Sequence, residues 1–154
     1  PTRRSSDLDH SDLECVKEAL REAGAEDIRL FAKIENMDGV RKLEKLLPAA
    51  DEIVIARGDL GNAVHLWDLP GVQRQISEKC RAAGKPFMVV TQMLASMERS
   101  PVPTRAEVND IFHAVMDGAA SIMVTGETAV GDYPVEVIRY MVNTVRSAEK
   151  EKNR

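Results

Sequence analysis

No stretch of this 154-residue chain approaches the roughly 20 consecutive apolar residues that a membrane-spanning helix needs. Positive charge is not in excess either. The 21 Lys and Arg stand against 25 Asp and Glu, for a net charge of −4, so the basic footprint of a nucleic-acid binder is missing. Cysteine is scarce. Cys15 and Cys80 both fall in helical patterns without metal-site spacing, and they read as reduced residues rather than a disulfide, which points to the cytoplasm. No strand pattern is followed by G-x-G-x-x-G, so a dinucleotide-binding sheet has no support. Residues 1–10 are polar and lack the apolar segment of a secretory leader.

What is there fits a globular α/β chain. The apolar fraction is 44% and the charged fraction 30%. Residues 1–8 (PTRRSSDL) show no periodicity and match the translation of a common sequencing adapter. They are expected to be a non-native leader, with residues 9–154 as the fold and a longer parent around it. Helical spacing covers 11–23, with Ser11 as cap and Glu14 completing a capping box, and Gly24 as the stop. Further helices are expected at 39–47, 69–83, 104–116 and 133–149, the third of these opened by a Thr104/Glu107 capping box. Charged residues 149–154 read as a frayed tail. Short apolar runs at 28–34, 53–56, 87–90 and 122–124 read as strands, with 58–62 as a loop and 91–97 as a turn or short helix.

The order is one helix and then βα four times, which implies parallel strands. Eight such units make a TIM (β/α)8 barrel, so four make half of one. Each strand pattern ends in polar residues: Lys33, Glu35 and Asn36; Arg57 and Asp59; Thr91 and Gln92; Thr125, Gly126 and Glu127. In a parallel barrel those ends meet on the face where barrel enzymes do chemistry.

Lys33 and Glu35, two apart on a strand, are expected to point to one side, the barrel interior. They read either as a structural ion pair or as part of a site. Glu35 and Asp59, on neighbouring strand ends, are placed to share one hard cation such as Mg2+. Lys33 beside them suits an anionic substrate carrying phosphate or carboxylate. The backbone N–H groups of Gly58 and Asp59 could take a carboxylate. The plain alternative at Asp59 is an ordinary βα turn with that residue as a helix cap. His10, His65 and His113 read as surface or satisfied residues. Trp67, Met93, Met97, Met116 and Met123 read as packing.

Six blocks then resemble pyruvate kinase in order and spacing: FAKIEN (31–36), IARGDLG (55–61), KPFMVVTQMLASM (85–97), PTRAEVND (103–110), AVMDG (114–118) and GETAVGDYPVEVI (126–138). The resemblance covers essentially residues 11–150 and implies the fifth to eighth βα units of that family's barrel domain. It implies transfer of a phosphoryl group from phosphoenolpyruvate to ADP, giving pyruvate and ATP. By the resemblance Lys33 is the catalytic lysine, and Glu35 and Asp59 are ligands of Mg2+ or Mn2+. Gly58 and Thr91 contact the substrate carboxylate, and Thr125 and Glu127 lie near the proton-delivery path. It further implies K+, with ligands mostly outside this segment, and a homotetrameric parent, with no nucleic-acid or membrane partner.

Three departures stand out: Asn62-Ala63 where the family has Val-Glu, Phe112-His113 in place of smaller or amide residues, and Thr125 where serine is usual. The first four strands and the lid domain of the family are missing from the sequence, so the isolated chain is expected to be inactive. A Mg2+-dependent lyase of the phosphoenolpyruvate/pyruvate barrels, or a non-catalytic fragment, are the other readings.

Overall fold

The computed structural model describes residues 10–154, so the expected leader at 1–8 lies outside the described residues. Along the chain, helices α1 (His10–Glu22), α2 (Met37–Leu46), α3 (Arg57–Ala63), α4 (Leu69–Ala82), α5 (Arg105–Met116), α6 (Gly126–Ala129) and α7 (Pro134–Lys152) alternate with strands β1 (Phe31–Ile34), β2 (Glu52–Ala56), β3 (Phe87–Val90) and β4 (Ser121–Met123). β1 pairs parallel with β2, and β3 pairs parallel with β4, as the βα order requires. The chain divides into two compact units, one reaching Phe87 and the other running from Met88.

In the first unit β1 pairs with β2 in the register Phe31 to Glu52 through Ile34 to Ile55. Every residue of β2 is buried, which is why it reads as a continuous apolar run. β1 alternates instead: Ala32 and Ile34 are buried, while Phe31 and Lys33 face out. It is shorter than its sequence pattern. Ile28 is tied into the turn after α1 through its N–H to the Ala25 carbonyl (3.2 Å), and Leu30 N–H donates to the Asp51 carboxylate at 2.6 Å. Val40, Leu43 and Leu46 of α2 and Ile76 and Cys80 of α4 supply the core. Glu52, 4% exposed, is paired with Arg29 at 3.1 Å. The approach to β3 is fixed by Ile53 N–H donating to the Pro86 carbonyl at 3.1 Å and by Lys85 donating to the Ala50 carbonyl.

The second unit pairs β3 with β4 in the register Met88 to Ser121 through Val90 to Met123. Helix α5 packs along α7. Val89, Val90, Met93, Leu94, Met97, Ile111, Ala114, Val137 and Ala148 are buried there. The Thr104/Glu107 capping box is present as expected. Between β3 and α5 lies a 3-10 turn, Ala95–Glu98. Helix α7 carries two apolar faces. Val137, Thr144 and Ala148 are buried, whereas Val135, Ile138 and Val142 are exposed.

Several expectations change. Residues 58–62 are not a loop, because the chain turns helical at once into α3, anchored by fully buried Leu60. Burial of one leucine outweighs the low helix propensity of Gly58 and Gly61. Ser11 lies inside α1 rather than at its cap, and Glu14 pairs with Lys17 at 3.6 Å. Helix α7 runs on through the expected tail, where Lys152 donates to the Val115 carbonyl at 3.4 Å. Trp67 is not packing: it is 77% exposed and stacked on His65 with ring centroids 4.5 Å apart. Met123 is exposed as well, whereas Met93 and Met97 are fully buried.

Candidate active site

The first unit brings three of the expected residues together. Alternation along β1 turns Lys33 to the exposed face, away from the side on which Ile34 meets α2, and Glu35 follows just past the strand end. The Lys33 ammonium is ion-paired with Glu35 and lies 3.6 Å from the Asp59 carboxylate. Glu35 is the sheltered member, with 14% of its side chain exposed against 45% for Lys33 and 58% for Asp59. The hydrogen bond from Lys33 to Glu35, with the charges of both carboxylates behind it, outweighs partial burial and holds the lysine pKa above its ordinary 10.5. The ammonium therefore stays charged throughout the neutral range.

Local structure explains the placement. Asn36 caps α2, its side-chain oxygen accepting from Gly39 N–H at 2.9 Å, so the chain turns into α2 directly after Glu35. Asp59 sits in the first turn of α3, where the helix dipole favours a carboxylate. Gly58 lies in that same turn. Among the described residues no three His, Cys, Asp or Glu side chains gather into a cluster that would enclose a metal alone. A pair of carboxylates near one ammonium is nevertheless an all-oxygen donor set. It fits a hard divalent cation that completes its shell with water or substrate oxygens.

The second unit holds the other expected residues. Thr91 and Gln92 follow β3 with φ of 71° and 52°. The Thr91 hydroxyl donates to the Val90 carbonyl at 2.6 Å. Glu127 is 2% exposed and accepts from Thr125 N–H at 2.7 Å and Leu94 N–H at 3.3 Å. Thr125 precedes α6, and its hydroxyl reaches the same carboxylate at 3.5 Å. Gly131 is required by a close approach: a Cβ there would lie 2.4 Å from the Glu127 carbonyl oxygen.

Sequence reasoning missed two contributors. Asn36, read only as a strand-end polar residue, is the α2 cap, and its spacing of three from Gly39 was the available signal. Glu107, read only as half of a capping box, also binds Ser96, and nothing in the local sequence points back eleven residues.

Comparison with known proteins gives one family. Residues 3–138 match the family described as pyruvate kinase, barrel domain. The chain is 44% identical to a pyruvate kinase of Bacillus licheniformis over 143 residues, 93% of this chain and 24% of that protein. It is 43% identical to that of Clostridium acetobutylicum over 142 residues, covering 92% and 30% respectively. The Geobacillus stearothermophilus pyruvate kinase is 45% identical over 139 residues, 90% of this chain and 23% of that one. The chain thus spans less than a third of the length of the curated relatives it matches. On these matches and on its parallel βα architecture, the chain belongs to the pyruvate kinase family, as part of its barrel domain.

Proposed function

We propose that this chain is the segment of a pyruvate kinase that carries the catalytic lysine, in a parent enzyme that moves a phosphoryl group from phosphoenolpyruvate to ADP. The observation that carries this reading is Lys33 ion-paired to both Glu35 and Asp59 at the end of β1. Phosphoryl transfer asks a protein mainly for positioning and for charge compensation on the transferring group. Lys33, kept charged by its two carboxylate neighbours, supplies a positive charge to the phosphoryl and enolate oxygens. Glu35 and Asp59 are the residues that would hold Mg2+ or Mn2+. When bound, such a cation neutralises oxygens of the substrate and orients them.

By the same family resemblance, Gly58 and Thr91 each contact the substrate carboxylate, and Thr125 serves proton delivery. Glu127 acts there through the backbone it holds, since its carboxylate accepts from Thr125 and Leu94 N–H groups. K+, ADP/ATP, a homotetrameric assembly and a cytoplasmic setting belong to this proposal for the longer enzyme. The isolated chain is inactive in it, because most of the family's length lies elsewhere.

The test grafts residues 10–152 into the Geobacillus stearothermophilus pyruvate kinase in place of its matching segment. The graft should convert phosphoenolpyruvate and ADP to pyruvate and ATP, and Lys33→Met should abolish this. A correctly assembled graft with no turnover, or one indifferent to Lys33→Met, would refute the reading. The 154-residue chain alone should show no turnover in the same assay.

A further inference from the structure

Thr91 and Gln92 are consecutive residues in the left-handed region, neither of them glycine, and threonine is β-branched. Such backbone is strained for a residue with a Cβ and persists only where its surroundings over-determine it. The surroundings here are two carboxylates that grip the chain just downstream. Glu127 accepts the Leu94 N–H at 3.3 Å from one side. Glu107 accepts the Ser96 N–H at 2.7 Å and the Ser96 hydroxyl at 2.5 Å from the other. Glu107 is itself braced, because Thr104 donates to it through N–H and hydroxyl, each at 2.8 Å. Around these grips Met93, Leu94 and Met97 are fully buried, so the turn cannot slide without losing both its bonds and its packing.

We propose that Glu107 is a positioning residue: through Ser96, and with Glu127 on the opposite flank, it holds the Thr91–Gln92 pair in its left-handed conformation and so aims Thr91. A capping box needs only the Thr104 bonds. The two bonds to Ser96 go beyond capping and fasten the start of α5 to the turn after β3. Charge-assisted bonds to backbone N–H are among the stronger ones available, which suits them to holding strained backbone. The consequence for chemistry rests on the role given to Thr91 under the proposed function. The clamp itself does not, and the two are tested separately.

The first arm reads backbone φ at residues 91 and 92 by NMR couplings and chemical shifts in the 154-residue chain, together with amide exchange at Leu94 and Ser96. Glu107→Gln should shift Thr91 and Gln92 out of the left-handed region and speed Ser96 exchange by about tenfold or more relative to α7. Thr104→Ala, which removes the cap but leaves the Ser96 bonds, should leave φ at 91 and 92 unchanged. If Glu107→Gln does not fold, Glu107→Ala carrying Thr104→Asp, which restores a cap without the Ser96 bonds, and Ser96→Ala, which removes the hydroxyl bond and keeps the N–H bond, are read in its place. Unchanged φ at 91 and 92 in a folded Glu107→Gln chain, or in both of its replacements, overturns the clamp.

The second arm uses the grafted enzyme. There Glu107→Gln should lower kcat about tenfold with KM little changed, a barrier increase near 1.4 kcal/mol. An unchanged kcat overturns the link to Thr91. A wild-type graft without activity counts against the proposed function instead, and the NMR arm still decides the clamp.

Discussion

Two pairs of carboxylates, one pair in each unit, do opposite jobs. In the first unit, Glu35 and Asp59 face one ammonium at a partly exposed strand end, and a half-exposed lysine is their partner. In the second, Glu127 and Glu107 accept backbone N–H groups from the turn after β3. A side-chain ammonium can move aside for a ligand, whereas a backbone N–H cannot leave without unfolding the turn. The first arrangement is suited to chemistry and the second to geometry. The comparison teaches that chemical type alone does not assign a role: the partner of each carboxylate does.

The largest effect that would break this contrast is on turnover. In the grafted enzyme Asp59→Asn should cost roughly 10²–10³ in kcat, the usual loss on removing one preorganised electrostatic group. Lys33→Met should cost at least as much yet leave Mn2+ binding nearly intact, because lysine is not a ligand. Mn2+ titration with kinetics checks both. If Lys33→Met lost the metal and Asp59→Asn kept it, the roles would be reversed.

Stability should rank the residues the other way. Glu127→Ala strands the Leu94 N–H in a buried setting, at about 1–3 kcal/mol for an unsatisfied group, and also removes the acceptor of the Thr125 N–H. Glu35→Ala removes an ion pair whose lysine is half exposed, worth less than about 1 kcal/mol. Denaturant unfolding of the two variants compares them directly, and a costlier Glu35→Ala would erase the distinction.

A smaller effect concerns Glu107 and pH. Burial pushes the Glu107 carboxyl up, but the bonds from Ser96 and Thr104 more than offset it and hold it below its ordinary 4.5. A carboxyl lowered on folding stabilises the fold where it is ionised. Its contribution is therefore complete above about 4.5 and is lost as the pH falls through the lower folded value. The stability gap between wild type and Glu107→Gln should be full at neutral pH and close on acidification. A gap independent of pH would mean that the charge of Glu107 is immaterial.

The smallest expected signal concerns the thiols. Burial pushes the Cys80 thiol up to about 11, while Cys15 is exposed. A disulfide reagent at mildly alkaline pH should label Cys15 in the native chain and Cys80 only after unfolding. Native labelling of Cys80 would show that the α4 side of the first core opens readily.

How much of this was legible in the sequence follows from how local each cause is. β2 announces itself as an apolar run because all its residues are buried, β3 does so with only Met88 half-buried, and the Thr104/Glu107 box is complete within four residues. The grouping of Lys33 with Glu35 follows from strand alternation, and its extension to Asp59 from the parallel pairing of β1 with β2. Helix α3 was hidden because the burial of Leu60 is a tertiary fact, while two glycines argue locally for a loop. The left-handed pair at 91 and 92 was hidden for the same reason. Nothing in Thr-Gln asks for positive φ, and the grips that impose it come from Glu107 and Glu127, far along the chain. The exposure of Trp67 shows the limit of composition, since a lone tryptophan reads as core until its surroundings are seen.

Helix α7 bears on how this polypeptide behaves in a test tube. With Val135, Ile138 and Val142 turned outward opposite a second, buried apolar face, its outer stripe meets water directly. Apolar surface of that kind lowers solubility, and excluded salts such as sulfate sharpen the effect. The chain should salt out at a lower sulfate concentration than a variant with Ile138→Lys and Val142→Glu, and it should keep longer in dilute, low-salt buffer.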